Sequence, residues 1–329
     1  MSFDSTTILE SNQVVTGVRR AEGKDKVVLT GAAIIDGASN ALLYLGPVEP
    51  TDSAGIHVLT PQIHNRPTTT GSTFYGPDTA ATNASLPPDT IRAVGTCLYP
   101  DSVERNHGMI YEGNVEGKGG WSELDVPDKL VGRPVWNTIP HSTMGNLVVG
   151  NYDLEGVFES ANAFLFNIAN NRWTLFAFEG CDLITAYGIW DNGDGSFTIA
   201  GGARDGQGIN RGFLVSYWPA TDSFGTPALY SFQNRADLLT HFEGITRSGA
   251  GFHLAGQAKD PPKMGTLSTP FLAMIDFAGG VYGEARWFPF AMDGMTVVTG
   301  NTVYQETLMG MYLTGDDSPK SSYAATFKP

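Results

Sequence analysis

The stretch IWDNGDGSFTIAGG, Ile189 to Gly202, admits two readings. Asp191 and Asp194 among glycines resemble a calcium loop, and they equally resemble a tight turn between two strands. A helix–loop–helix calcium site needs a bidentate Glu at its twelfth position, and counting from Asp191 that position is Gly202. Corresponding stretches elsewhere read RSGAG (Arg247 to Gly251) and YQE (Tyr304 to Glu306), with no paired carboxylates. The reading is therefore a hairpin, with Asp and Gly as turn formers and no metal.

The end of the stretch, TIAG, recurs. Short runs of small or aliphatic residues close on Gly31, Gly95, Gly150, Gly201, Gly256 and Gly310, at spacings of 64, 55, 51, 55 and 54 residues. An apolar run follows each: ALLYLG from Ala41, GMIYEG from Gly108, AFLFNI from Ala163, GFLVSY from Gly212, FLAMID from Phe271 and YAATFK from Tyr323. A further one follows five of these, as IHVLTP, WSELDV, WTLFAF, ALYSF and RWFPF. Ahead of the landmark glycines lie VTGVRR, TGSTFY, AYGIWD, EGITRS and TGNTVY, in which Gly17, Gly71, Gly188, Gly244 and Gly300 correspond. The third copy departs, with Pro140 near the expected glycine and a tighter turn at Gly145-Asn146.

Each repeat thus reads as four antiparallel strands, and six repeats predict an all-β, six-bladed β-propeller forming one domain over residues 1–329. The last repeat stops after SYAATFKP and lacks its fourth strand, while a spare strand, Thr6 to Glu10, precedes the first repeat; pairing the two closes the ring. The landmark glycines are expected where inner strands crowd a central axis. The phrases NAFLFNIANNRWTLF (162–176) and AYGIWDNGDGSFTIAGG (186–202) resemble the HAF-type repeats of bacterial propeller-like proteins, which implies a fold and no reaction.

Composition agrees: 40 glycines and 19 prolines among 329 residues suit a turn-rich chain, and 41% hydrophobic against 16% charged residues suits a large core. A net charge of −14 without any Lys/Arg run argues against nucleic acid or an anionic membrane as partner. No apolar run is long enough to span a bilayer, and the opening MSFDSTTILESNQVV has no secretory pattern. With two cysteines, Cys97 and Cys181, outside any metal spacing, reduced thiols and a cytoplasmic location are expected, unless a leader has been trimmed.

No GxSxG, HExxH, phosphate-binding or dinucleotide motif is present, so no cofactor is expected. Chemistry is sought where each repeat's first strand begins. His141, Tyr187, His241 and Glu243 are the catalytic candidates, because imidazole changes charge near neutral pH, a carboxylate orients it and a phenol donates to developing negative charge. Thr70, Tyr75, His107, Trp190, Arg204 and Arg211 are the ligand-binding candidates. His57 and His253 read as structural, and Asp36, Asp101, Asp153, Asp205, Asp260 and Asp316, one per repeat, as turn starters. The resulting expectation is a cofactor-independent enzyme (isomerase, cyclase, lyase or hydrolase) acting on a small organic molecule at the channel mouth. The alternative is a non-catalytic binding module for a glycan, metabolite or peptide. Non-identical first-strand residues favour one asymmetric site over a repeated lectin surface.

Overall fold

The computed structural model describes residues 2–328, save 24, 51–53, 101–103, 158, 261–267, 296 and 316–319. Alternating apolar residues between Gly- and Asp-bearing turns fold into six antiparallel sheets, and the chain divides into two compact units, Asn12–Phe176 and Ala177–Pro329 with Met1–Ser11. The N-terminal strand is β1 (Ser2–Ile8). The Asn12–Phe176 unit contains three blades. Blade 1 is β2 (Gln13–Arg20), β3 (Val27–Ile35), β4 (Ala38–Gly46) and β5 (Ile56–Leu59). Blade 2 is β6 (Gly71–Thr79), β7 (Ile91–Leu98), β8 (His107–Gly113) and β9 (Gly119–Glu123). After a one-turn helix, α1 (Asp128–Val131), blade 3 is β10 (Val135–Met144), β11 (Leu147–Leu154), β12 (Asn162–Asn167) and β13 (Arg172–Phe176).

The second unit holds the other three. Blade 4 is β14 (Cys181–Asp191), β15 (Phe197–Asp205), β16 (Asn210–Trp218) and a split outer strand, β17 (Ser223–Phe224) and β18 (Ala228–Tyr230). Blade 5 is β19 (Leu239–Ser248), β20 (Gly251–Lys259), β21 (Thr269–Ala278) and β22 (Val281–Pro289). Blade 6 is β23 (Val297–Val298), β24 (Thr302–Tyr304), β25 (Thr307–Leu313) and β26 (Ser321–Lys328), with β1 paired to β26 from Ser2↔Lys328 to Ile8↔Ser322. This is the all-β, six-bladed propeller fold, and the N-terminal strand completes its last blade as the missing strand required. It lies at Ser2–Ile8 rather than Thr6–Glu10, because Leu9 takes a left-handed φ of 62° that ends the strand.

Between neighbouring blades of each unit, side chains on facing sheets interdigitate. Phe74, Leu43, Met109 and Tyr111 fill one such layer of the first unit. Phe242, Phe271 and Leu254 fill one in the second, with Trp287 stacked 6.0 Å from Phe242 and edge-on to Phe271 at 4.9 Å. Each fully buried aromatic contributes about 1.5–3 kcal/mol through the water it leaves.

The landmark glycines have a different cause from axial crowding. They lie on the second strand of each blade, opposite a one-residue β-bulge in the first. Register shifts fall between Val15/Gly17, Phe74/Gly76, Pro140/Ser142, Ala186/Gly188 and Phe242/Gly244. In blade 6, β24 pairs Thr302↔Met309, and Asn301 occupies the same place between Gly300 and Thr302. The extra residue drives a first-strand carbonyl into the second strand. A Cβ on Gly201 would sit 1.9 Å from the Thr185 oxygen, and one on Gly31 1.8 Å from that of Val14. The bulge register also reassigns two first-strand positions: Gly76 and Thr302, not Gly71 and Gly300, match Gly17, Gly188 and Gly244.

The DNGDGS segment is a turn in its hydrogen bonding. Asp191 Oδ1 accepts the Gly193 N–H at 2.8 Å, and Asp194 Oδ1 accepts from the Ser196 N–H and hydroxyl at 2.9 and 2.6 Å. Asp205 does likewise for Gln207 and Ile209. Asp101 and Asp316 lie outside the described residues.

Candidate functional site

A β-bulge re-aims the extra side chain, which makes it a natural place to present chemistry. The six bulge residues are Thr16, Tyr75, His141, Tyr187, Glu243 and Asn301, all of them polar. Three of the four catalytic candidates are among them.

In the second unit, the first strands of blades 4 and 5 bring a group together. His241 Nε2 lies 2.6 Å from the Thr185 hydroxyl, and Nδ1 lies 3.3 Å from Glu243 Oε1 without hydrogen-bond alignment. The Tyr187 ring meets the imidazole edge-on at 4.6 Å. Gln257 donates to Glu243 Oε1 at 2.9 Å, while its own Oε1 is buried without a partner. His241 and Glu243 keep 20% and 15% of their side-chain surface open, so the pair is neither sealed nor solvated. Gly202 makes this arrangement possible, because a Cβ there would lie 2.2 Å from His241 Cδ2. The two glycines that close the TIAGG run therefore have separate duties: Gly201 admits a carbonyl and Gly202 an imidazole.

Thr185 was visible in the sequence only as a neighbour of Tyr187, and its bond to His241 spans 56 residues. Gln257 carried no signal at all. The first depends on how blade 5 docks on blade 4, the second on the β19–β20 pairing that sets Gln257 opposite His241.

The remaining candidates are dispersed. His141, in the first unit, is buried, with Nε2 2.8 Å from Asn151 Oδ1 and its ring 5.1 Å from that of Tyr75. Thr70 and Tyr75 line one cavity of about 460 Å³ in that unit, together with Asp36, Ser39, Thr96 and Asn106. Burial pushes the Tyr75 phenol up, against a hydrogen bond from Thr96 that lowers it. His107 pairs with Asp125 at 2.7 Å, in blade 2.

Trp190 pairs with Thr198 at the hairpin end of β14, five residues beyond Thr185, and packs against the blade 4–5 core. Arg204 is clamped by both Asp182 oxygens at 2.7 and 2.8 Å. Arg211 binds Asp205, the Ser231 hydroxyl and the Ala236 carbonyl. Trp190 thus stands apart from the His241 group, and these two arginines are committed to internal partners. His57 lies on the outer strand β5, and His253 Nδ1 is 2.6 Å from the Gln305 carbonyl.

No known protein family matches the sequence, the HAF-type repeats included, and no curated protein is similar to it at a significant level. Solved structures do share the fold. Trypanosoma rangeli sialidase matches with a TM-score of 0.54 at 10% identity, over 97% of this chain and 55% of that one. The same sialidase in complex with sialic acid gives 0.55 at 10%, again over 97% and 55%. Phage phi92 endosialidase gives 0.52 at 10%, over 99% and 69%. The chain thus spans about half the length of the trypanosomal enzyme. At these identities the likeness is one of fold alone. Among the described residues no helix is long and apolar enough to cross a membrane.

Proposed function

We propose that the protein is a cofactor-independent hydrolase of small, uncharged organic molecules, worked by Thr185, His241 and Glu243. The single observation behind this reading is the Thr185 hydroxyl 2.6 Å from His241 Nε2, with the Glu243 carboxylate 3.3 Å from Nδ1 in charge contact rather than a formed hydrogen bond. Of the reactions acid–base groups support, hydrolysis uses a hydroxyl hydrogen-bonded to an imidazole most directly. With the proton on Nδ1, Nε2 accepts the Thr185 proton as Oγ1 attacks a carbonyl carbon, and a small turn of the ring would bring Nδ1–H onto Glu243. The imidazolium, balanced by Glu243, returns that proton to the leaving group. Water then repeats the cycle on the ester so formed, giving the acid and free Thr185. Tyr187 walls the imidazole, and Gln257 holds Glu243 in place.

Substrate charge follows from what surrounds the group. A chain of net charge −14, with Arg204 and Arg211 committed to Asp182 and Asp205, offers an anionic substrate little attraction. The reading therefore departs from the sialic acid of the structural neighbours. His141 is not needed in it, and its bond to Asn151 suits a structural tie.

A second reading, a binding module, is favoured by the Thr70–Tyr75 cavity, whose hydroxyl-rich lining suits a sugar-sized ligand. The two are separated by assaying chromogenic short-chain esters, amides and glycosides with the wild type and with Thr185→Ala, His241→Ala and Glu243→Gln. Hydrolysis is expected to fall by about 100-fold or more in the His241 variant, with non-additive losses in combination. Unchanged turnover in all three variants overturns the hydrolase. Ligand retention that is lost in Tyr75→Phe and Thr70→Ala, without turnover, establishes the binding module.

A further inference from the structure

The most unusual chemistry outside the His241 group lies at one end of blade 2. Cys97 faces His107 across β7 and β8, and Met109 faces Glu123 across β8 and β9. Continuing the antiparallel count carries Asp125 opposite His107, and Asp125 Oδ1 accepts the Gly108 N–H at 2.9 Å. Because side chains alternate along a strand, Tyr99, Cys97, His107, Glu123 and Asp125 share one face. The donor atoms of His107, Glu123 and Asp125 lie within 4.8 Å of one another, the one such group among the described residues.

We infer that His107, Glu123 and Asp125 form a binding site for a divalent transition-metal ion of the zinc type. Zinc is held by imidazole nitrogen and carboxylate oxygen at about 2.0–2.2 Å, which sets neighbouring ligand atoms roughly 3.3–3.5 Å apart, so His107 and Asp125 open slightly while any wider pair draws in. The ion would enter between His107 Nδ1 and Asp125 Oδ2, now 2.7 Å apart, moving the imidazole proton to the other ring nitrogen or to water.

Independent of the clustering, Glu123 Oε2 is buried without a partner, and the buried Tyr99 hydroxyl has no oxygen or nitrogen partner, only the weakly bonding Cys97 thiol. Tyr99 is 7% exposed, and its ring lies 4.9 Å from that of His107. A buried oxygen without a hydrogen bond costs about 1–3 kcal/mol, and a cation relieves it. Glu123 Oε1 is already held by Arg66, which leaves Oε2 as the free donor. Asp125 is likewise steadied by Gly108, so each carboxylate has the outer hydrogen bond that metal ligands use. Charge points the same way: two carboxylates face the single guanidinium of Arg66, leaving a deficit of positive charge. The imidazole ligand selects zinc, cobalt or nickel over calcium and magnesium.

The test uses the full chain, stripped with a chelator and titrated with Co2+ as a coloured stand-in for zinc. One equivalent should bind, visible d–d bands should appear, and zinc but not calcium or magnesium should abolish them. His107→Gln and Asp125→Asn should each weaken binding roughly 10-fold or more, while Asp191→Asn leaves it unchanged. Circular dichroism checks that the variants fold. A wild type that retains no cobalt in equilibrium dialysis overturns the site, whatever the variants do. So does a bound ion that both folded variants keep at wild-type affinity.

Discussion

Adjacent glycines in the middle of β15 should respond very differently to the same added methyl group. In Gly201→Ala the new Cβ falls 1.9 Å from the Thr185 carbonyl oxygen and 2.9 Å from Phe213 Cε1. The carbonyl belongs to the main chain of β14, and it must retreat by about 1.5 Å to reach ordinary contact. That retreat breaks ladder hydrogen bonds on either side of the bulge, at about 1 kcal/mol each, and adds overpacking of about 1–3 kcal/mol. A destabilisation of about 3–5 kcal/mol follows, or a melting temperature lower by roughly 6–20 °C for a cooperative unit of this size. In Gly202→Ala the obstacle is the His241 side chain at 2.2 Å and the Asn210 amide nitrogen at 2.6 Å. Side chains swing, so this variant should lose only about 1–2 kcal/mol while displacing the imidazole from Thr185. Differential scanning calorimetry measures the first difference; turnover of whichever substrate the ester, amide and glycoside panel yields measures the second. Equal melting temperatures for the two variants, or a Gly201→Ala protein as stable as wild type, would refute the bulge as the reason for the landmark glycines.

Deleting residues 1–11 removes β1 and exposes β26 as an open edge. Loss of buried Ile8 and of Phe3, whose ring packs 5.2 Å from Phe290, should cost about 3 kcal/mol or more, read as a lower urea midpoint. The Tyr111 phenol is pushed up to about 12 by burial, against an ordinary value of 10.0. The unfolded chain therefore ionises first, so this contribution is intact below pH 10 and drains away as pH rises towards 12. Tyr111→Phe should flatten that part of the urea-midpoint profile, and an unaltered slope would assign the alkaline loss to other groups.

What the sequence determined by itself was the repeat and its consequences. Periodic glycines and alternating apolar runs fixed six four-stranded sheets, and the deficit after Tyr323 required a strand from the N-terminus. Such features are local: two-residue alternation, turn residues and chain length register in the order of amino acids alone. The landmark glycines were equally legible, but not their cause, since a bulge adds one residue to a strand and leaves no compositional mark. That one residue decides which side chain is re-aimed. It separates Tyr187 and Glu243, presented beside His241, from Trp190, which the same β14 carries to its hairpin end and into the core. Thr185 reaches His241 only because strands 56 residues apart dock in one register, and His107 reaches Asp125 only through the register of β8 on β9. Contacts of this kind follow from packing between blades and along sheet faces, where a shift of one residue would turn every side chain the other way.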